Sequence, residues 1–262
     1  MDWILVTNDD GVDALSLPPL ARALARLAPV RVVAPEQERS WVSKAITRFE
    51  PVRVDVIQRD GVEMHAVSGY PADCAQLGIH TLFEEPPRLV VSGVNIGFNH
   101  GSAYLQSSGT IGAALEAYIS GVGAMAFSTQ SITRPWREWR PWAMSPESVP
   151  MWERVAVLAA AMVGPVLAAA PQRVLISVNL PDTADESTPR RFTTVASVGY
   201  DRLFSPAGDG TFVHDYRGYL NHFSPLAGTD IGAAAEGLVS VTSLHPAHSV
   251  DLPEELRRAL GV

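Results

Sequence analysis

The chain has 262 residues, 47% of them hydrophobic and 18% charged, with a formal net charge of −8. That length and apolar content suit one large or two small domains with an ample core. The acidic balance argues against non-specific nucleic-acid binding, which needs clustered Lys and Arg, so no specific nucleic-acid partner is expected. A single cysteine, Cys74, excludes an internal disulfide and a cysteine-rich zinc site, and a lone thiol is expected to be a small buried hydrophobe.

In chain order, residues 4–7 (ILVT) form a continuous apolar strand that ends abruptly in Asn8-Asp9-Asp10-Gly11. Residues 17–27 are helical, with Leu17, Leu20, Leu24 and Leu27 on one face, and 30–34 form a second strand. Strands of continuous Val, Ile and Leu are buried on both faces, as in parallel sheets. Residues 52–57 and 62–67, joined by Arg59-Asp60-Gly61, predict a hairpin. A helix over 71–82 starts on a proline. A buried strand at 88–94, a small-residue helix at 109–120 and a strand at 124–128 follow.

Residues 131–148 interrupt this alternation with Trp136, Trp139 and Trp142 among prolines and arginines. They are expected to be a loop, either packed on its own aromatics or forming a lip over a pocket or an oligomer contact. A helix at 151–169 and a strand at 174–178 come next. The apolar run 155–170 is broken by Gly164-Pro165 and is short for a membrane span, so no membrane is expected. With no room for a signal peptide ahead of the first strand, the expected location is the cytoplasm. From 183 to 228 the chain is rich in Gly, Pro, Asp and aromatics, with strand-like pieces at 192–198 and 211–213, and is expected to form an extended arm. Asp230 is placed to cap a short helix to 236, and 238–241 is a last buried strand.

Four polar loops stand where a strand ends or a helix begins. They are Asn8-Asp9-Asp10-Gly11, the loop from Pro35 to Ser40, the loop from Ser92 to Gly101 containing Asn95, and Ser107-Ser108-Gly109-Thr110. In a parallel sheet such loops share one edge, where ligands bind. Adjacent carboxylates at a buried strand end need compensation, and a divalent cation is the simplest. Two carboxylates, an Asn carbonyl and a Ser hydroxyl are hard oxygen ligands suited to Mg²⁺, Mn²⁺ or Ca²⁺. Ser108-Gly109-Thr110 at a helix start offers hydroxyls, free N–H groups and the positive dipole end, an anion site. Each loop also has a plain reading as a turn or a helix cap, with His100 a surface histidine. For this edge to carry no ligand, all four plain readings would have to hold together.

The sequence resembles the SurE family of metal-dependent nucleotide phosphatases. The resemblance rests on TNDDG at 7–11, P-x-x-x-x-S ending at Ser40, SGYPADC at 68–74 and VSGVNIGFNHG at 91–101. It continues through SGTIGAALE at 108–116, AFS at 126–128, VNLP at 178–181 and AGTDIGAAAEGLVSVT at 227–242. It implies a single α/β domain with a three-layer α/β/α Rossmann-like core, at about 1–182 and 228–262, and a C-terminal β-hairpin arm at 183–228 exchanged between subunits of a homodimer or homotetramer. It also implies hydrolysis of nucleoside 5′-monophosphates, often 3′-monophosphates, and in some members short polyphosphate, with one divalent cation per subunit.

The family's metal ligands fall on Asp9, Asp10, Ser40 and Asn95, and its phosphate contacts on Asn8, Asn95, Ser108, Gly109 and Thr110. Departures from the family pattern are Ser102-Ala103, Ser107, Tyr70 in place of a capping threonine, Gly123 and the long tryptophan-rich segment. They bear on substrate preference and rate more than on reaction class. In the expected chemistry Asp9 and Asp10 hold the cation, Asn95 bridges it to the phosphate, Ser108 and Thr110 donate to non-bridging oxygens, and Asn8 orients water. Asp9 as a nucleophile ranks second. The rival from another class is a nucleotide-binding protein without catalysis. A receiver domain is too small a fold for this chain.

Overall fold

The structure is a computed structural model and describes every residue except 1, 170–172, 246–248, 250 and 262. Its centre is a nine-stranded sheet ordered β3-β4-β2-β1-β5-β6-β7-β13-β8. The strands are β1 (Ile4–Thr7), β2 (Val30–Pro35), β3 (Val54–Arg59), β4 (Val62–Val67), β5 (Leu89–Ile96), β6 (Gly123–Gln130), β7 (Leu175–Pro181), β8 (Arg190–Thr193) and, after the arm, β13 (Val239–Ser243). Strands β4, β2, β1, β5, β6 and β7 run parallel. The antiparallel β3–β4 pair closes one edge as the expected hairpin.

Side-chain alternation along the central strands separates two cores. Ile4 and Val6 of β1 face one side with Leu17, Leu20, Val155 and Leu158, from α1 (Leu17–Leu24) and α6 (Val149–Ala169). Leu5 faces the other with Cys74, Ile79, Ile111 and Ala114, from α2 (Pro71–His80) and α4 (Gly109–Ile119). This is the three-layer arrangement expected of buried parallel strands. Cys74 is buried in that second core, which pushes its thiol pKa up, as for an inert hydrophobe. Helix α6 is long and apolar enough to cross a membrane, with a mean hydropathy of 1.5, but half of that stretch is buried inside the protein. Residue 170, the end of its apolar run, lies outside the described residues.

Several boundaries differ from expectation. Helix α1 stops at Leu24, and α2 at His80. The tryptophan-rich segment is not a loop: it contains α5 (Trp136–Ala143) and a 3-10 turn at Pro146–Ser148. Trp136, Trp139 and Ala143 recur at helical spacing, and Trp139 is fully buried with its Nε1 donating to Asp182 Oδ2 at 3.1 Å. The prolines that suggested a loop sit at the N-cap, Pro135, and inside this short helix, Pro141.

Segment 183–228 divides. Its first strand, β8, joins the main sheet parallel to β13. Beyond it, β9 (Val198–Tyr200) pairs with β12 (Leu220–His222), and β10 (Phe204–Gly208) with β11 (Thr211–His214). This outer part leans on α3 (Gly101–Ser107), where Ser102 Oγ donates to Val198 O at 2.6 Å. The cap of α7 (Asp230–Ala235) is Thr229, whose Oγ1 accepts from Gly232 N. Asp230 instead accepts from Gly101 N and Ala196 N, both at 2.9 Å, tying α3 to the chain entering the arm.

Gly112 in α4 exists for close approach: a Cβ there would land on the Ser43 carbonyl and 3.0 Å from Lys44 Cα. Gly164 in α6 meets nothing closer than 3.7 Å, at Leu27. Gly112→Ala is therefore expected to destabilise by about 1–3 kcal/mol through overpacking. Gly164→Ala is expected to stabilise by about 0.5–1 kcal/mol from helix propensity. Urea unfolding of the two variants checks the opposite signs.

Candidate active site

All four loops converge at the carboxyl edge of the parallel strands. Asp9, Asp10, Ser40, Asn95 and Ser108 line one cavity of about 830 Å³, a volume suited to a small-molecule ligand. The loops are bolted together by backbone. Arg39 N donates to Asp9 O at 2.7 Å, Val12 N to Pro35 O at 2.9 Å, and Ser43 N to Ser107 O at 2.9 Å. Gly11, with φ +90°, makes the turn after the carboxylates, and a Cβ on it would press 2.8 Å from the Gln37 carbonyl carbon.

Asp9 is buried against the N-terminus of α4. Thr110 Oγ1 donates to Asp9 Oδ1 at 2.5 Å. A Cβ on Gly109 would sit 2.8 Å from Asp9 Cβ, so only glycine lets the helix end come this close. Burial nevertheless pushes the Asp9 pKa up to about 6, against the opposing pull of the Thr110 hydrogen bonds. Asp10 lines the cavity and is raised well above the usual carboxylate range, first by desolvation and then by the charge of Asp9; a hydrogen bond from Ile96 N to its Oδ2 at 3.2 Å offsets part of this. Glu38, on the next loop, adds to the negative potential at both.

The donor chemistry fits a hard cation. Asn95 spends its Nδ2 on Gly97 O at 2.7 Å, which leaves its carbonyl oxygen as the acceptor end. Ser40 donates its proton to Glu38 Oε1 at 2.7 Å, which leaves the hydroxyl oxygen's lone pairs. Among the described residues no group of three or more His, Cys, Asp or Glu forms a metal cluster. Such a carboxylate-poor oxygen set matches a cation that keeps several waters, as Mg²⁺ does, rather than a fully protein-caged ion.

Ser108 caps α4 by accepting from Ile111 N at 3.1 Å, and its hydroxyl proton remains available at the cavity wall. Two expected site residues face elsewhere. Asn8 is fully buried and uses both ends of its amide on Gly11, donating to its carbonyl at 2.9 Å and accepting from its N–H at 3.1 Å, so it braces the turn and is not among the residues that line the cavity. Thr110 is fully buried with its hydroxyl on Asp9, so it orients the carboxylate and does not reach into the cavity.

Residues outside the expected ligand set complete the walls, and Trp136 among them belongs to the segment expected as a packed loop or a lip over a pocket. Arg140 of α5 pairs with Glu38 at 3.0 Å across the rim, and Trp136, Arg137 and Arg217 line the same cavity. The tryptophan-rich segment is thus a wall of the pocket. His100 is no surface residue. It is packed by Phe98 and Tyr104, its buried Nδ1 has no hydrogen-bond partner, and burial lowers its pKa below 6.5. A buried polar chain holds the Asn95 loop from behind. Asn99 Nδ2 donates to Ser128 Oγ and Asn99 N to Asn179 Oδ1, both at 2.8 Å. Ser128 and Asn179 lie in the AFS and VNLP motifs, which are braces rather than ligands.

The raised Asp9 pKa means that the folded state holds a proton more tightly than the unfolded chain, so metal-free stability falls as pH rises from about 4 to 6. In EDTA at pH 7, Asp9→Asn is expected to melt a few degrees above wild type, with the gain vanishing near pH 4. Calorimetric melting across that range checks it.

The family model described as survival protein SurE matches residues 4–202. The protein named 5′-nucleotidase SurE from Methanopyrus kandleri is 34% identical over 98% of this chain and 98% of its own. That of Geobacter sulfurreducens is 37% identical over 92% of this chain and 87% of its own. The crystal structure of SurE protein from Aquifex aeolicus superposes with a TM-score of 0.72 at 28% identity, covering 98% of this chain and 97% of that one. With a family match over most of its length and full-length relatives above 30% identity, the chain belongs to the SurE family.

Proposed function

We propose that the protein is a divalent-metal-dependent phosphatase that hydrolyses nucleoside 5′-monophosphates to nucleoside and phosphate. The observation that carries this reading is the adjacent pair at the end of β1, Asp9 buried and Asp10 half-buried, facing Asn95 and Ser40 in one cavity with the N-terminus of α4. The names of the full-length relatives support the 5′-nucleotidase class. Hydrolysis of 3′-monophosphates and short polyphosphate is proposed as a secondary range. Arg137, Arg140 and Arg217 on the cavity wall suit substrates with further negative charge.

Asp9, Asp10, Asn95 and Ser40 are the proposed metal ligands, with Mg²⁺ or Mn²⁺ as the cation. When bound, the cation supplies Lewis-acid stabilisation of charge on a phosphoryl oxygen and lowers the pKa of a coordinated water. The protein's own groups do the positioning. Thr110 fixes the Asp9 carboxylate, and Gly109 lets the start of α4, whose dipole favours negative charge, close on Asp9 at the cavity edge. Ser108 would hydrogen-bond through its hydroxyl to a non-bridging oxygen, and the Asn95 carbonyl oxygen would be one of the cation's ligands. In-line attack by water then needs little from the chain beyond this alignment and charge neutralisation.

Phosphate release from a panel of nucleotides and sugar phosphates, run with Mg²⁺, Mn²⁺ and EDTA, tests the proposal. Asp9→Asn and Asp10→Asn are expected to lower activity at saturating Mn²⁺ by roughly 100-fold or more with the fold intact, a loss typical of removing a main electrostatic element. Wild-type rates in both variants contradict the metal assignment. Ser108→Ala is expected to lower kcat by about 10-fold or more rather than raise KM alone, because its contact strengthens in the transition state.

The proposed assembly is a homodimer, alone or paired into a tetramer. Phe204, Phe212, Val213, Tyr219 and Phe223 on strands β10 to β12 and their flanks are more than half exposed. Isolated hairpins are marginal in water, and the same arm of a second copy is a ready cover. Light scattering is expected to give a dilution-stable dimer or tetramer, lost when residues 200–224 are replaced by a Gly-Ser bridge.

A further inference from the structure

Beside the carboxylates, the same cavity has an aromatic wall that phosphate chemistry does not use. Trp41 is its hub. Its ring lies 5.0 Å from His214, 5.1 Å from Tyr200, 5.8 Å from Tyr216 and 6.3 Å from Tyr104, centroid to centroid. Trp41, Tyr104, His214 and Tyr216 all line the cavity with Asp9, Asp10 and Ser108, and Trp41 remains 43% exposed despite these neighbours.

Trp41 has φ +60°, a conformation uncommon for a bulky side chain. Such a geometry persists only where the surroundings over-determine it, and it concentrates at functional positions. The surroundings here are specific. Ser43, also at positive φ, is pinned through its N–H to Ser107 O, and Gly112 packs under the Ser43 carbonyl. The loop that supplies Ser40 to the metal site is therefore the loop that holds Trp41 up beside it.

We propose that Trp41, backed by Tyr104, Tyr216 and His214, is the stacking platform for the nucleobase of the substrate. The inference rests on the nucleotidase reading and adds how that site takes the nucleoside half. Stacking on an aromatic surface is sequence-tolerant, because every base has a π-face. The hydroxyls present do not add an edge-reading code. Tyr104 and Tyr216 bond to each other at 2.9 Å, and Tyr200 is spent on Ser107 Oγ and Ala103 O. The platform therefore accepts all bases and favours purines over pyrimidines by ring area alone.

The test compares kcat/KM for adenosine 5′-monophosphate with that for ribose 5-phosphate, which has the same phosphoester but no base. Taking this ratio cancels any disturbance of Ser40 next door. Trp41→Gly, which suits the positive φ, and Trp41→Leu are expected to lower the ratio about 10-fold or more, the size of one lost stacking contact. Trp41→Phe is expected to keep it within about 3-fold of wild type, since a ring is restored. If the aromatics only dock the arm, both substrates fall together and the ratio holds in the Gly and Leu variants, which overturns the platform. A wild-type enzyme that prefers neither substrate also overturns it while leaving the phosphatase reading in place. One that hydrolyses neither overturns both.

Discussion

Two neighbouring carboxylates at the end of a buried strand repel each other and resist desolvation, and the rest of the site is arranged around that conflict. Asp9 is relieved in part by the Thr110 hydroxyl and by the start of α4; Asp10 is relieved by the Ile96 N–H and the charge of Arg140. The relief is incomplete, as the raised pKa values of both acids show. A protein does not retain such a pair for stability, because an unpaired buried charge is costly. The remaining deficit of positive charge is what the proposed cation would fill.

The fold supplies that pair with partners from distant parts of the chain. β1, β5 and β6 are parallel neighbours, so their carboxyl ends open on one edge. Helix α4, the second after β5, begins there too, with the Ser108 hydroxyl at the cavity wall and the positive end of its dipole toward the same edge. Rigidity comes from glycines that allow contact, at 11, 109 and 112, and from the buried amide and hydroxyl chain of Asn99, Ser128 and Asn179 behind the Asn95 loop. Preorganisation of this kind is what phosphoryl transfer asks of a protein.

Much of this was legible before the structure. The parallel sheet, its helices and the four converging loops follow from apolar runs that end in polar, glycine-rich turns. What was not legible depends on contacts distant in sequence. Asn8 and Thr110 have the right chemistry for substrate contact, but neighbouring groups engage them first: Gly11 takes both ends of one, and Asp9 takes the hydroxyl of the other. A strand-like piece at 192–198 overlapped β8, but its membership of the main sheet was hidden because its partner β13 lies nearly 50 residues downstream and its Arg190-Arg191 start is polar. Helix α5 was obscured by its prolines, although Trp136, Trp139 and Ala143 carried the helical period. The role of Trp41 had no local signal, since it depends on rings contributed by α3, β9 and the chain around β11.

If the Asp9–Asp10 pair is built for a divalent cation, isothermal titration of Mn²⁺ into the metal-free protein should give one ion per chain for wild type. The affinity of Asp10→Asn should be at least roughly 10-fold weaker, since few protein ligands share the load. Equal Mn²⁺ affinity in wild type and Asp10→Asn would contradict that assignment.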